Sequence, residues 1–159
     1  MLRNHNFDLL ISHQQIRLEN REFHDSYCEW GKENLSQGCI IHDGFVVFDP
    51  IVEGSFGANV NIKISDKFHM DHDTLRCIST HFDYSSEQPL IVSSAFEKFN
   101  INCDIQSGRY SLFFEIMEKE EVEYQFTLVP SSLGKEKSIY VIDDDFGGIR
   151  NKELKLGNQ

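Results

Sequence analysis

The chain has 159 residues and a formal net charge of −11, with a sequence pI near 5.0. That length suits one domain with a real hydrophobic core. A field of that sign repels phosphate, which argues against direct coating of nucleic acid or anionic membrane and favours a basic protein partner. No apolar run approaches the roughly 18 residues of a spanning helix, and the opening MLRNHNFDLL lacks a signal-peptide core, so a cytoplasmic location is expected. The four cysteines, Cys28, Cys39, Cys77 and Cys103, form no C-x-x-C pair and read as buried reduced thiols.

In chain order, Phe7 to Leu18 begins with a short apolar run and spaces Ile16 and Leu18 two apart, which predicts a strand. Asn20 to Asp25 is polar. Ser26 with Glu29 three residues later is a capping-box pattern, and Tyr27, Trp30 and Leu35 then share one helical face. Gly38 sits where a helix stops, so one short helix is expected near residues 27–37. Asp43-Gly44 favours positive φ at both positions and separates Cys39-Ile40-Ile41-His42 from Phe45-Val46-Val47-Phe48, a two-residue hairpin closed by Pro50.

Beyond the flexible Gly54 to Gly57, the residues Val60, Ile62 and Ile64 alternate with Asn59, Asn61 and Lys63, the pattern of a half-buried strand. Ser65 to Thr74 reads as a polar loop. Leu75 to Phe82, Leu90 to Ala95, Phe99 to Ile105, Tyr110 to Ile116, Tyr124 to Val129 and Ser138 to Ile142 read as further strands. The result is an all-β, mainly antiparallel β-sandwich of about nine or ten strands, a single domain over residues 1–150 with a loose polar C-terminal tail over 151–159. A parallel sheet would need crossover helices that the pattern lacks.

Catalytic signals are weak. His69-Met70-Asp71-His72-Asp73 invites a zinc or iron site, but it matches no complete ligand spacing, and neighbours on an extended segment point to opposite faces. Asp143-Asp144-Asp145-Phe146-Gly147-Gly148 invites calcium, yet lacks alternating D-x-D-x-D spacing and a suitably placed twelfth ligand. No G-x-S-x-G elbow or glycine-rich phosphate loop is present, and the seven histidines are scattered, His13 and His42 among them. No metal, cofactor or catalysis is expected. Charge remains: Glu118, Glu120, Glu121 and Glu123, the Asp143, Asp144 and Asp145 run, and Asp71 with Asp73 are the candidate partner-binding residues. Clustered carboxylates can occupy the phosphate-binding cleft of a nuclease and speed association.

The segment Ile11-Ser12-His13-Gln14-Gln15, Trp30 with Gly38 eight residues on, and Asp43-Gly44-Phe45-Val46-Val47-Phe48 together resemble the competence protein J family. A second part of the resemblance runs from Ile91 through Ile101-Asn102-Cys103-Asp104-Ile105 to Gly108-Arg109-Tyr110-Ser111-Leu112. The resemblance implies a bacterial cytoplasmic inhibitor of a DNA-entry nuclease, or an immunity protein of a toxin–antitoxin pair, with no catalysis of its own. The chain departs from the family pattern by a longer loop over Ser65 to Ser86 and by the extension beyond Asp143. The rival readings are a small-ligand-binding sandwich with a pocket lined by Tyr27, Trp30 and the phenylalanine-rich strands, and a metal hydrolase on the His69 to Asp73 loop.

Overall fold

A computed structural model describes residues 2–131 and 137–159. In chain order the elements are β1 (Leu2–Ile11), β2 (Ile16–Glu19), a 3-10 turn (Asp25–Cys28), α1 (Lys32–Gln37), β3 (Cys39–His42), β4 (Phe45–Phe48), β5 (Phe56–Ser65), β6 (Thr74–Tyr84), β7 (Leu90–Ser93), β8 (Lys98–Ile101), β9 (Gly108–Glu118), β10 (Val122–Pro130) and β11 (Ile139–Tyr140). The class is all-β, as expected. The strands, eleven among the described residues, form a six-stranded sheet of order β1-β5-β10-β9-β6-β11 and a five-stranded sheet of order β3-β4-β2-β7-β8. Two compact units divide the chain: one holds residues 2–8, Ala58–Phe82 and Arg109–Leu154, the other Leu9–Gly57, Asp83–Gly108 and Lys155–Gln159.

The first unit is built on three long strands. β9 and β10 pair antiparallel from Val122↔Glu118 to Pro130↔Tyr110, which sets Tyr124 opposite Ile116, Phe126 opposite Phe114 and Leu128 opposite Leu112. β5 joins the other side of β10 in parallel, with Val60, Ile62 and Ile64 beside Tyr124, Phe126 and Leu128. Because side chains alternate along a strand, all nine land on one face, and all are buried. The parallel pair needs no crossover helix, since β6 to β9 lie between its two strands in sequence.

In the second unit β2 pairs with β4 on one side and β7 on the other, aligning Ile16 with Phe48, and Leu18 with both Val46 and Val92. The opposite face of β4 is also covered: Ile40, Phe45 and Val47 pack under Tyr27, Cys28 and Trp30. That two-sided burial explains why Phe45-Val46-Val47-Phe48 is an unbroken apolar run rather than an alternating one.

Several local readings change. The Ser26/Glu29 pattern makes the 3-10 turn, where the Glu29 N–H donates to the Ser26 carbonyl, and α1 begins six residues later with Gly31 as its N-cap. Leu35 is 62% exposed, off the face that Tyr27 and Trp30 bury. Gly38 does end the helix, at φ 87°. The Phe7 to Leu18 strand is two strands joined at His13 and Gln14, both left-handed (φ 57° and 53°) between the bridged Ser12 and Gln15. Residues 155–159 are polar but not loose: Lys155 N–H donates to Gln37 Oε1, Gly157 N–H to the Ile41 carbonyl, and Asn158 Nδ2 to the Ser26 and Glu29 carbonyls. All four cysteines are free thiols, Cys39 and Cys77 buried and Cys28 and Cys103 partly so. Burial pushes the Cys77 thiol well up from its ordinary value. No helix among the described residues is long and apolar enough to cross a membrane.

The Asp43-Gly44 turn forms as a two-residue hairpin, with His42 paired to Phe45, but only Gly44 takes positive φ (69°). A Cβ there would lie 2.9 Å from the Asp83 carbonyl oxygen, so glycine is required twice over. Gly44→Ala should therefore lower stability by at least the ~1–2 kcal/mol of a left-handed L-residue. Thermal unfolding should show a midpoint lower by several degrees; an unchanged midpoint would mean the turn relaxes without cost.

Candidate partner-binding surface

The antiparallel register of β9 and β10 leaves Lys119, Glu120 and Glu121 as the turn between them, closed by the Lys119 N–H on the Glu121 carbonyl (3.0 Å). Three adjacent charged residues repel apolar packing, so the turn stays outside: Glu118, Glu120 and Glu121 are exposed and Glu123 is half-buried. The Glu118 N–H donates to the Asp73 carbonyl at 3.1 Å, which joins the hairpin to the loop before β6.

That loop is held from inside by Glu115, a carboxylate with no exposed surface in the middle of β9. Its Oε2 accepts from the Asp71 N–H (3.0 Å) and the Thr74 hydroxyl (2.6 Å), and its Oε1 from Gln125 Nε2 (3.2 Å). Asp71 turns the chain by accepting the Asp73 N–H on its own side chain at 2.8 Å. The segment is thus a tight turn rather than an extended strand, and Asp71, His72 and Asp73 do not point to opposite faces: ligand atoms of all three lie within 4.8 Å of one another. Lys119 Nζ already stands between the two carboxylates, 3.1 Å from Asp71 Oδ2 and 3.2 Å from Asp73 Oδ2. The Asp73 N–H, then Lys119, hold the Asp71 carboxyl below its ordinary range, and hydrogen bonds to Asp71 and Asp73 raise Lys119.

The structure thus brings six of the sequence candidates together: Glu118, Glu120, Glu121 and Glu123 with Asp71 and Asp73. Beside them lies an open depression of about 460 Å³ lined by Asn59, Lys119, Glu120, Glu121 and Glu123. Lys119, Asn59 and Glu115 were not singled out by sequence. A lone acid inside Tyr110-Ser111-Leu112-Phe113-Phe114-Glu115-Ile116 was the available signal for Glu115.

Asp143, Asp144 and Asp145 lie on a different loop, after β11, and divide in role. Asp143 Oδ1 accepts the Arg150 N–H (2.9 Å), and both Asp143 and Asp145 are exposed. The Asp144 side chain is fully enclosed and paired with Arg76, itself 2% exposed, through Nε (2.8 Å) and Nη2 (3.2 Å). Its Oδ1 also accepts the N–H groups of Phe146 (2.8 Å) and Gly148 (2.7 Å). Burial opposes ionisation of Asp144, but the Arg76 hydrogen bonds and the two backbone N–H groups outweigh it and leave its pKa lowered. Arg76 further donates to the Phe146 carbonyl and lies over the rings of Tyr140 and Phe146. Asp144 therefore ties its loop to β6 and presents no charge outward. Tyr27 and Trp30, the proposed lining of a ligand pocket, are spent on the core, with Tyr27 4.9 Å from the Phe45 ring.

A family model described as Competence protein J matches residues 8–129, a span that holds Asp71, Asp73 and the whole glutamate hairpin. Among solved structures, ComJ from Bacillus subtilis, described as an inhibitor of the DNA degrading activity of NucA, aligns with a TM-score of 0.67 at 15% identity, covering 82% of this chain and 99% of that one. The protein described as crocagin biosynthetic gene J aligns with a TM-score of 0.58 at 12% identity over the same shares. No curated protein sequence matches. At these identities the structural likeness establishes the fold.

Asp144→Ala leaves the buried Arg76 without a counter-charge, a change that costs ~3–5 kcal/mol. The melting temperature should fall by roughly 6–20 °C on the usual scaling for a chain of this size. Gly148→Ala should act in the same direction, because its Cβ would sit 2.2 Å from an Asp144 oxygen that Arg76 pins in place. With a lowered folded-state pKa, Asp144 contributes stability that is present above the ordinary carboxylate pKa of ~4 and is lost as pH falls through the lowered value. The stability gap between the parent chain and Asp144→Asn, measured by urea unfolding, should therefore narrow below about pH 4; a gap independent of pH would contradict the assignment.

Proposed function

The chain belongs to the competence protein J family, and on that premise we propose that it is a non-enzymatic, cytoplasmic bacterial inhibitor of a nuclease. Family membership carries the reading. The solved relative, an inhibitor of a DNA-degrading nuclease, supports DNA rather than RNA as the target's substrate. The proposed contact surface is the acidic end of the first sheet. Glu118, Glu120, Glu121 and Glu123 extend from a rigid hairpin whose neighbouring loop is fastened by Glu115 and Lys119. A nuclease cleft that grips DNA phosphates is basic, and carboxylates on such a hairpin complement it where nucleic acid would otherwise lie. The net charge of −11 adds a long-range attraction toward a basic partner and repels the competing polyanion. Asp71 and Asp73 contribute less outward charge, because Lys119 neutralises part of it, and Asp143 and Asp145 form a secondary acidic patch.

In an assay of duplex DNA degradation by a competence-type DNA-entry nuclease, the purified chain should inhibit at near-equimolar ratio. Converting Glu118, Glu120, Glu121 and Glu123 together to lysine should slow association by ~10-fold to 1000-fold while the chain stays folded, since surface substitutions typically shift stability by about 0.5 kcal/mol or less each, about 2 kcal/mol at most for the four. Inhibition by the parent chain should weaken as salt rises. Full inhibition by the quadruple variant would remove the hairpin from the interface, and failure of the parent chain to inhibit would remove the nuclease reading itself.

A further inference from the structure

β3 is an end strand of the second sheet, and its outer edge is met by residues 155–159 of the same unit. Gln37 Oε1 accepts the Lys155 N–H (2.9 Å) and Gln37 Nε2 donates to the Lys155 carbonyl (2.9 Å), so one side-chain amide pairs with the segment as a neighbouring strand would. The Gly157 N–H donates to the Ile41 carbonyl (2.7 Å), and the Gly157 carbonyl accepts from Asn34 Nδ2 (2.9 Å). The Gln159 N–H donates to Asn34 Oδ1 (2.9 Å), and the Gln159 backbone oxygen accepts the Glu33 N–H (3.0 Å). Residues 155, 157 and 159 are thus held by both of their backbone polar groups. Asn34 and Gln37, the two amides that do most of this, are buried and already fixed by the unit itself: both donate to the Cys39 carbonyl (3.3 and 3.0 Å), and Asn34 Oδ1 accepts the Gly31 N–H (3.0 Å). The receiving groups are therefore set in place before the segment arrives.

Two positions of the segment are selected by more than backbone. Gly157 takes a left-handed φ of 72°, which favours glycine. The Asn158 side chain donates from Nδ2 to the Ser26 (2.8 Å) and Glu29 (2.7 Å) carbonyls, and its Oδ1 meets His42 Nε2 at 3.0 Å. On the receiving side, a Cβ on Gly31 would lie 2.0 Å from the Gln159 backbone oxygen, although the φ of −83° and ψ of 175° at Gly31 suit any residue. The absence of a side chain there makes room for the segment. The segment brings no apolar anchor: Leu156 is 49% exposed, and Lys155, Asn158 and Gln159 are exposed too. Attachment by hydrogen bonds that water can replace is the kind that opens locally. The receiving residues, 26–42, fall inside the span of 8–129 that the competence protein J model matches, and their occupant falls outside it.

We infer that the edge formed by α1 and β3 is a peptide-docking site for a five-residue segment with Gly-Asn at its third and fourth positions, and that residues 155–159 hold it as a displaceable ligand in cis. The backbone contacts supply attachment, as in strand addition to a sheet edge, and the left-handed glycine and the asparagine amide supply selectivity. A separate peptide of the same pattern meets the same contacts and competes only against the high effective concentration of the tethered segment. The site uses no residue of the acidic hairpin and does not depend on the nuclease reading.

Two measurements test this. In the parent chain, hydrogen exchange followed by nuclear magnetic resonance should show the Gly157 and Gln159 amides exchanging at least ~100-fold faster than those of β4, through local opening. Equal protection would make the segment a fixed part of the fold and overturn the inference without any variant. The full chain carrying Gly157→Val and Asn158→Ala should stay folded, since neither position buries an apolar side chain, and should leave the site open. An N-acetylated peptide of residues 155–159 should then shift the Asn34 and Gln37 side-chain amide signals saturably at millimolar concentration. The same peptide with Asn158→Ala should bind at least ~10-fold more weakly, the factor for about 1.4 kcal/mol. Adding Gly31→Ala to the opened chain should abolish binding, because the Cβ takes the place of the Gln159 oxygen. Silence with the unaltered peptide, equal affinity for the altered one, or binding that survives Gly31→Ala would each overturn the inference.

Discussion

The register between β9 and β10 is the constraint on which the acidic surface of the first unit depends. With Phe126 opposite Phe114, the hydrophobic row, the parallel neighbour β5 and the length of the connecting turn all follow. A slip of one residue would rotate Tyr124, Phe126 and Leu128 out of the buried face, so burial of those three large side chains locks the pairing. The same lock decides where the charges go. Glu118 ends one strand, Val122 begins the next, and the acids between them have no face to hide on.

Among the described residues four Arg and Glu side chains are buried within strands: Arg17, Glu19, Arg76 and Glu115. Arg76 holds the 143–148 loop through Asp144 and Phe146. Glu115 fastens the 71–74 turn. Both are hydrogen-bonded along more than one direction, which is the condition under which a buried charge is tolerable. Arg17 and Glu19 meet that condition only in part, since the Nε–H is unpaired.

Sequence pattern revealed those features whose cause is local. The alternation of Val60, Ile62 and Ile64 is a property of the strand itself, and Gly38 and Gly44 are needed for backbone angles that neighbours in sequence impose. It missed features whose cause lies elsewhere in the chain. His13-Gln14 carries no glycine, asparagine or aspartate, and its left-handed turn is held by Ser94, whose hydroxyl bonds to the backbone carbonyls of Ser12 and Gln15. The Ser26/Glu29 pair has the letters of a capping box, but Tyr27, Cys28 and Trp30 are drawn onto Ile40, Phe45 and Val47, and a helix through them could not keep that contact. Asp144 looks like its neighbours Asp143 and Asp145 until Arg76, 68 positions earlier, claims it.

Lys119 settles how the acidic end is divided. Folded back onto Asp71 and Asp73, it compensates the two carboxylates nearest the body of the unit and stitches turn to hairpin with the same atoms. The glutamates on either side of it, Glu118 and Glu120 with Glu121 and Glu123 following, carry charge that no lysine of the hairpin itself offsets, because Glu118-Lys119-Glu120-Glu121-Val122-Glu123 holds a single cation. On the proposed reading the inner pair of aspartates is scaffold and the outer four glutamates are the binding element. Total charge then matters less than its anchoring: carboxylates on a loose loop would lose conformational freedom on meeting a basic cleft, whereas those on a register-locked hairpin have already lost it during folding.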